Sequence, residues 1–185
     1  PLGGLFNAID TLKRHGGDAN TRGTTLDLVE RGLKGIRDVV RAALMSYRAQ
    51  RDDRPLSHDD IDDLKLLITP EARRRGVALQ WRNDLAGSVA LPANSVRQII
   101  LNLVLNACQA APRDSWTSVS ISESAKTIVL QVEDAGPGMP SAAVAMLTGA
   151  VDRPAPIGNG TGLGLWMTNR LVRERDGHVT VSNST

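Results

Sequence analysis

The chain has 185 residues, of which 41% are hydrophobic and 23% charged, and its formal net charge is +2. These proportions are typical of a globular protein. The small net charge and the low aromatic content of 3% argue against a nucleic-acid partner. No apolar run is long enough for a membrane span, so we expect no membrane contact within this sequence. The single cysteine, Cys108, excludes an internal disulfide, is compatible with a cytoplasmic location, and has apolar neighbours that predict a packed thiol.

The N-terminal part of the chain has the apolar pattern of a helical hairpin. Apolar residues recur at helical spacing from Leu2 to Leu12 and again from Leu26 to Tyr47. His15-Gly16-Gly17 predicts the end of the first helix, and Thr24 or Thr25 is expected to cap the second. A lone antiparallel hairpin cannot bury both apolar seams. We therefore expect a second copy of the chain to complete a dimeric four-helix bundle.

A charged segment with Pro55, residues 51–57, predicts a linker and divides the chain into the hairpin, 1–54, and a second domain, 55–185. In the second domain a helix is expected from Ser57 or Asp59 to Gly76, another at 93–111, and a last one ending near Arg175. The predicted strands are residues 77–81, 88–91, 118–122, 127–133 and 178–182. This order predicts a two-layer α/β sandwich on a mixed sheet, and hence an α+β fold class for the whole chain.

The pair His58-Asp59 has two interpretations. It could be a phosphoacceptor or an acid–base pair, but it lies at a predicted helix start, where small polar residues act as caps. We favour the cap.

Two glycine-rich segments follow the strand predicted at 127–133. The first is Asp134-Ala135-Gly136-Pro137-Gly138, and in the second, residues 158–164, glycine stands at every second position before a predicted helix. Glycines leave backbone N–H groups uncovered, and the helix N-terminus adds partial positive charge, so the segments suit a polyphosphate. The alternative is that the glycines only mark flexible loops. The two segments together favour a nucleotide site.

Asn102 and Asn106 lie in the middle of the helix predicted at 93–111, although asparagine is a poor residue for a helix interior. They are four residues apart and share a face, which Gln109 continues. A solvated polar stripe would explain them equally well. Their carboxamide oxygens are, however, neutral hard ligands suited to Mg²⁺. No Asp or Glu occurs between Asp84 and Asp114, so this helix offers no carboxylate to deprotonate a water molecule.

Three sequence boxes occur in order in the second domain. They are Asn102-Leu103-Val104-Leu105-Asn106-Ala107, then Asp134-Ala135-Gly136-Pro137-Gly138, and then Gly160-Thr161-Gly162-Leu163-Gly164-Leu165. The chain thereby resembles the histidine kinases of two-component signalling, within the superfamily of gyrase, the heat-shock chaperone ATPases and the MutL repair proteins. The boxes are similar to its N box and its two glycine boxes. The resemblance implies a Bergerat-type ATP-binding domain.

The start of the chain resembles the same family. Pro1-Leu2-Gly3-Gly4 is similar to the residues that follow the phosphoacceptor histidine in the H box. The resemblance therefore places that histidine upstream of Pro1, and His15 is no substitute. The first helix is also predicted to be shorter than its partner, which suggests that it begins further upstream. We expect that this chain cannot phosphorylate itself.

The resemblance also implies a role for individual residues. Asn106 would bind Mg²⁺, and Asp134 would accept a hydrogen bond from the adenine amino group of ATP. Gly136 and Gly138 would let the backbone pass close to the purine. Asn102 occupies the position of the general-base glutamate of the hydrolytic relatives; since an amide cannot take a proton from water, the γ-phosphoryl group would pass to a histidine. The phosphates would be held by the second glycine box: Gly160, Thr161, Gly162, Leu163, Gly164 and Leu165.

Several positions depart from the family pattern. Gln109 stands where many members have a basic residue, so it is a weaker candidate for a phosphate contact. The F box is not recognisable, and residues 140–159 are expected to form a mobile lid over the nucleotide. The closing strand of the family would lie after Thr185. Trp166 is expected to pack beneath the second glycine box.

The preferred interpretation is the catalytic core of a sensor histidine kinase with ATP and Mg²⁺ as cofactors. Its expected partners are a second copy, bound through the hairpin, and the receiver domain of a response regulator. One alternative is an ATPase clamp of the gyrase or chaperone kind, which the missing glutamate disfavours. Another is a nucleotide-binding or dimerising signalling module without transfer activity, which Gln109 and the missing F box leave open.

Overall fold

The computed structural model of the protein describes residues 2–15, 17–49, 54–124, 127–149, 154–155, 157 and 162–183. Within these residues the helices are α1 (Leu2–His15), α2 (Ala19–Ala49), α3 (His58–Arg75), α4 (Ala93–Ala110), α5 (Ser141–Thr148) and α6 (Leu163–Arg173). The strands are β1 (Pro55–Leu56), β2 (Ala78–Asn83), β3 (Val89–Pro92), β4 (Trp116–Ser124) and β5 (Thr127–Asp134). No helix among the described residues is both long and apolar enough to cross a membrane.

Helices α1 and α2 pack against each other as the heptad pattern predicts. Leu5 of α1 is 7% exposed, and a Cβ added at Gly32 of α2 would lie 2.8 Å from its side chain, so the two helices approach closely where α2 has no side chain. The predicted cap at Thr24 or Thr25 is wrong. The helix begins at Ala19, because the Asp18 side chain accepts a hydrogen bond from the backbone N–H of Thr21 (2.8 Å).

The hairpin leaves much of its apolar surface in contact with solvent. Large side chains on both helices are 41% to 69% exposed. They are Phe6, Ile9, Leu26, Leu28 and Leu33. Because exposed leucine and phenylalanine side chains gain free energy when they are covered, this surface is suited to a partner.

The second domain contains a mixed three-stranded sheet in the order β2-β4-β5. β2 pairs with β4 in parallel, with Ala78 opposite Trp116, and β4 pairs with β5 antiparallel, with Ser124 opposite Thr127. Helices α3 and α4 pack on one face of the sheet. The α+β class and the two-layer sandwich predicted for this part are confirmed.

The main core lies between this sheet and helices α3 and α4. Its side chains are apolar and at most 4% exposed. They are Leu56, Ile61, Leu64, Ile68, Ala72, Leu85, Ala93, Ile100, Val104, Cys108, Val119 and Ile121. On α4 the buried positions 100, 104 and 108 are four residues apart and form one face, so the asparagines at 102 and 106 face away from this core.

The segment that leads into α3 is fixed by a buried carboxylate. Asp60, 3% exposed, receives hydrogen bonds from both Nη atoms of Arg54, at 2.7 and 2.5 Å, and from Nη1 of Arg97 at 3.1 Å. The Asp60 carboxylate also accepts a hydrogen bond from the backbone N–H of Ser57. The Ser57 hydroxyl in turn accepts a hydrogen bond from the backbone N–H of Asp60, and the two bonds form a capping box at the start of α3. Chiefly because of the Arg54 guanidinium, the pKa of Asp60 lies well below its usual range.

The strand predicted at 178–182 is wrong, and the segment predicted as a mobile lid is described only in part. Residues 178–182 form no strand, since no strand among the described residues pairs with them; Val179 and Val181 pack instead against a second, smaller cluster. The segment predicted as a mobile lid begins with helix α5, whose residues Met146 and Leu147 are 4% and 2% exposed. The rest of that segment lies mostly outside the described residues.

Candidate functional site

The asparagine helix, α4, presents its predicted site residues at different depths. Asn102 is half-buried, whereas Asn106 and Gln109 are exposed. The buried face of the same helix packs on the sheet, which fixes the direction in which the asparagine face points. The carboxamide of Asn106 is therefore accessible to a ligand from solvent.

A side-chain hydrogen bond joins α4 to the second glycine segment, residues 158–164. The Nδ2 of Asn102 donates to the carbonyl oxygen of Gly164 at 3.3 Å. A Cβ added at Gly164 would lie 3.7 Å from Cγ and from Oδ1 of Asn102, so the amide packs over the bare backbone. The structure thus brings together two residues 62 positions apart that the sequence analysis assigned to one site.

The first glycine segment, residues 134–138, lies against the C-terminal end of α4. The backbone N–H of Gly136 donates to Oδ1 of Asp134 at 2.8 Å. A Cβ at Gly136 would lie 2.5 Å from that oxygen and 2.9 Å from the carbonyl oxygen of Ala110. The glycine is therefore required by close packing. Asp134 is exposed, and a carboxylate can accept several hydrogen bonds, so it can also accept one from a ligand.

The end of this segment contacts a residue close to the C-terminus of the chain. Gly138 has φ of 84°, in the left-handed region that favours glycine. The backbone N–H of Met139 donates to Oδ1 of Asn183 (2.9 Å), and Nδ2 of Asn183 donates to the carbonyl oxygen of Met139 (3.0 Å). No local sequence signal identifies Asn183, because its partners are backbone groups 44 residues away.

The second glycine segment is described only from Gly162 onward. Gly162 has φ of 68° and precedes α6, and a Cβ there would collide with the carbonyl oxygen of Ala155. Leu163 and Gly164 form the first turn of α6, and Leu165 is 9% exposed in the second cluster. The predicted phosphate contacts Gly160 and Thr161 lie outside the described residues.

The second cluster includes the residues that directly follow the two glycine segments, Met139 and Leu165. Its buried members are Ala143, Met146, Leu147 and Leu165, and the partly buried residues packed against it are Leu103, Met139, Ile157, Trp166, Val179 and Val181. The predicted packing role of Trp166 is confirmed, and its ring also lies 5.6 Å from the guanidinium of Arg170. The cluster combines residues of α4, α5, α6 and the C-terminal segment. It therefore fixes the elements around the site relative to one another.

A buried amide on α6 caps the end of α5. Asn169, 7% exposed, donates through Nδ2 to the carbonyl oxygens of Leu147 (2.5 Å) and Gly149 (3.1 Å). The last carbonyls of a helix have no partner within the helix itself. Asn169 therefore satisfies two of these groups and fixes α5 against α6. No local sequence signal identifies it, since the partners are 22 and 20 residues away.

We expect Asn169→Leu to lower the free energy of unfolding by about 2 kcal/mol, because two carbonyl groups would lose their donor in a buried place. Urea denaturation followed by circular dichroism measures this. Arg173→Leu, on an exposed position of the same helix, is the control and should change stability little. Equal stability of Asn169→Leu and the unsubstituted protein would contradict the capping role.

Two residues that could have been catalytic have structural roles. Cys108 is 1% exposed, and burial raises the pKa of its thiol, so it is protonated and not nucleophilic, as the packing prediction requires. His58 lies at the first position of α3, with Nδ1 2.9 Å from the carbonyl oxygen of Leu85. The interpretation of this position as a helix start is confirmed.

The donor set at the site suits a metal ion that already carries phosphate ligands. Among the described residues, no group of three or more His, Cys, Asp or Glu side chains could hold a metal ion. The exposed Asn106 carboxamide offers a neutral oxygen ligand. Mg²⁺ can bind to such a ligand when substrate phosphates and water supply the rest of its coordination sphere. The residues therefore fit Mg²⁺ bound together with a nucleotide.

Two curated relatives are similar over much of the chain. The probable sensor histidine kinase TcrY of Mycobacterium tuberculosis is 28% identical over 194 residues, which cover 100% of this chain and 40% of that protein. The sensor histidine kinase ZraS of Escherichia coli is 30% identical over 119 residues, which cover 63% of this chain and 25% of that protein. The chain thus spans less than half the length of these relatives.

Solved structures show the same fold. The Acinetobacter baumannii histidine kinase AdeS has a TM-score of 0.60 at 15% identity and covers 91% of this chain and 81% of its own. Full-length ShkA in complex with AMPPNP has a TM-score of 0.56 at 22% identity and covers 84% of this chain and 34% of its own. At these identities the likeness concerns the fold alone.

A family model gives the assignment. The model described as histidine kinase-, DNA gyrase B- and HSP90-like ATPase matches residues 92–185, which include the asparagine helix, both glycine segments and α6. The chain therefore belongs to the family of histidine kinase-, DNA gyrase B- and HSP90-like ATPases, and residues 92–185 belong to an ATP-binding domain of the histidine kinase type.

Proposed function

We propose that the chain is the catalytic core of a sensor histidine kinase. It binds Mg-ATP and transfers the γ-phosphoryl group to a histidine of the dimerisation hairpin, upstream of Pro1, for relay to an aspartate of a response regulator. The proposal is supported by relatives named sensor histidine kinases and by the AMPPNP of the ShkA complex, which has the same fold.

One observation carries this proposal further than nucleotide binding. The residue that joins α4 to the second glycine segment is Asn102, an amide, and it donates to the backbone of Gly164. A general base for hydrolysis must accept a proton from water, and an amide cannot do so. A nucleotide bound here would be protected from hydrolysis and available to a histidine nucleophile.

The remaining site residues have roles in binding and orientation. Asp134 would accept a hydrogen bond from the adenine amino group. Gly136 and Gly138 would allow the backbone to approach the adenine ring. The backbone at the start of α6 would bind phosphate through its N–H groups, together with Gly160 and Thr161. Asn106 would hold Mg²⁺, which when bound neutralises the phosphate charge. Gln109, exposed on the same helix, would contribute at most a neutral phosphate contact.

We further propose a division into a dimerisation hairpin, 1–54, and a catalytic domain, 55–185. The exposed apolar side chains of α1 and α2 support a homodimer, in which two hairpins would form a four-helix bundle. The receiver domain of a response regulator would then be the second partner. Arg54, which binds Asp60 of α3, lies at the proposed boundary.

A reconstituted transfer reaction tests the kinase proposal. The chain is incubated with labelled Mg-ATP and a separate hairpin of the same family that carries the H-box histidine. We expect acid-labile label on the added hairpin and none on the chain itself. Acid-labile label on the chain alone would contradict the upstream position of the phosphoacceptor.

Two other outcomes would favour the alternatives. Steady release of phosphate without an acceptor would favour an ATPase of the gyrase or chaperone kind. Binding of Mg-ATP without transfer would favour a nucleotide-binding signalling module, the function that Gln109 keeps open. No binding at millimolar nucleotide would refute the nucleotide site.

A further inference from the structure

The side-chain amide of Asn183 makes two hydrogen bonds to the backbone of Met139, the residue that follows the first glycine segment. A neighbouring β-strand would make the same pair of bonds. The amide accepts from the N–H of Met139 and donates to the C=O of the same residue, at 2.9 and 3.0 Å. In a β-ladder this pair of bonds comes from a second backbone. Here one side chain supplies both. We call this contact the Asn183–Met139 pair.

The same side chain lies directly against Gly138. A Cβ added at Gly138 would lie 3.0 Å from Cγ and 3.1 Å from Oδ1 of Asn183. The glycine is therefore required for two reasons, its positive φ of 84° and the close approach of the amide. The backbone at 138–139 thus contacts Asn183 both through two hydrogen bonds and through close packing.

The segment that carries the predicted adenine contacts is thus held at both ends. At the start, the N–H of Ala135 donates to the carbonyl oxygen of Trp116 at 3.2 Å, and Gly136 packs against Ala110. At the end, the Asn183–Met139 pair fixes the backbone. Asn183 lies two residues after Val181, and both Val181 and Met139 pack against the second cluster. The backbone that carries the Asn183 amide is therefore supported by this cluster.

We propose that Asn183 is a positioning residue for the nucleotide, which it affects through the backbone of Gly138 and Met139 and without contact to the base. This inference rests on the proposed function. A loop that is ordered before binding does not lose conformational entropy when the ligand arrives, so the pair should increase affinity. The transfer step itself takes place at the other end of the triphosphate. Loss of the pair should therefore raise the Kd and KM for nucleotide and leave kcat nearly unchanged.

A purely structural role predicts a different result. Asn183 is exposed and lies outside both clusters of buried residues, so its removal should cost little global stability. A stabilising residue without influence on the site would change the melting temperature and not the affinity. The two roles are thus separated by measuring both quantities on the same variant.

The experiment compares the unsubstituted chain with Asn183→Ala and Asn183→Asp by calorimetric titration with Mg-ADP. We expect Asn183→Ala to raise the Kd about tenfold, the effect of one to two net hydrogen bonds. Asn183→Asp keeps an acceptor for the Met139 N–H but loses the donor to the Met139 C=O. We expect it to bind ADP as weakly as Asn183→Ala does. Asn20→Ala, exposed at the start of α2, is the control and should leave the Kd unchanged.

Hydrogen exchange provides a readout that needs no nucleotide. The Met139 amide should exchange faster in Asn183→Ala than in the unsubstituted chain, and Asn183→Asp should retain part of its protection. A double-mutant cycle with Gly138→Ala adds a second test: that substitution should weaken ADP binding less in the Asn183→Ala background, where the colliding amide is absent.

The possible failures are distinct. Equal Kd values for ADP in the unsubstituted chain and Asn183→Ala would refute the positioning role and leave the proposed function intact. Loss of the fold in Asn183→Ala would assign the residue to stability and would also refute it. Absence of ADP binding by the unsubstituted chain would refute the proposed function itself.

Discussion

Asn106→Ala is expected to reduce phosphoryl transfer to an added histidine-bearing hairpin by about 100-fold or more. Asn106 is exposed on the α4 face that Asn102 fixes beside the second glycine segment, and in the proposed site its carboxamide oxygen is the protein ligand of Mg²⁺. Without it the metal ion would lose its attachment to the protein. Affinity for Mg-ATP should fall together with transfer.

The measurement is the initial rate of acid-labile labelling, with the Kd for Mg-ATP determined in parallel. Asn20→Ala is the matched control, since it removes an exposed asparagine from the hairpin, far along the sequence from the proposed site. Circular dichroism should show that both variants fold, because Asn106 is exposed and contributes little to packing. A labelling rate that Asn106→Ala leaves unchanged would refute the proposed metal ligand and the transfer mechanism.

Asp60→Ala is expected to give the largest loss of stability, about 3 kcal/mol. The Asp60 side chain is 4% exposed, and its removal would leave the guanidinium of Arg97, 24% exposed, without its nearest carboxylate; the Asp63 carboxylate lies further away, at 3.9 Å. It would also remove the capping box with Ser57 at the start of α3. The free energy of unfolding from urea denaturation measures the effect. Asp63→Ala, with a 65% exposed side chain, is the control and should cost less than 1 kcal/mol.

The same residue gives a pH dependence with a defined sign. The Arg54 guanidinium, and then the Ser57 bonds, lower the pKa of Asp60 in the folded chain, so the folded state binds this proton less readily than the unfolded state. Its contribution to stability is therefore complete above about pH 4 and is lost as the pH falls through the folded-state pKa. The difference in unfolding free energy between the unsubstituted chain and Asp60→Ala should shrink in acid. A difference that is constant down to pH 2 would contradict this.

Periodic elements could be predicted from the sequence because their signals are local. The heptads of α1 and α2 and the strand pattern before Asp134 depend only on neighbouring residues. The cap at Ser57 also has a local signature, because Asp60 stands three residues later and completes the capping box. Such features need no knowledge of the tertiary structure.

Helix α5 was missed although a signal was present. Its sequence, SAAVAMLT, consists largely of good helix formers and follows Pro140, which stands at the N-cap. The missing F box, by contrast, favours a loop. Asn169 and Asn183 are different, since both bind backbone groups 20 or more residues away. Nothing in the local sequence distinguishes them from surface asparagines, so only the tertiary structure reveals them.

The hydrogen bond from Asn102 to Gly164 has an evolutionary consequence. Asn102→Glu would supply the base of a hydrolase, but it would also direct a negatively charged acceptor at the carbonyl oxygen that now receives the amide proton. Repulsion between the two oxygens would separate α4 from the start of α6. If the chain is the proposed transferase, a change to hydrolysis through Asn102→Glu should therefore need a compensating change at the start of α6.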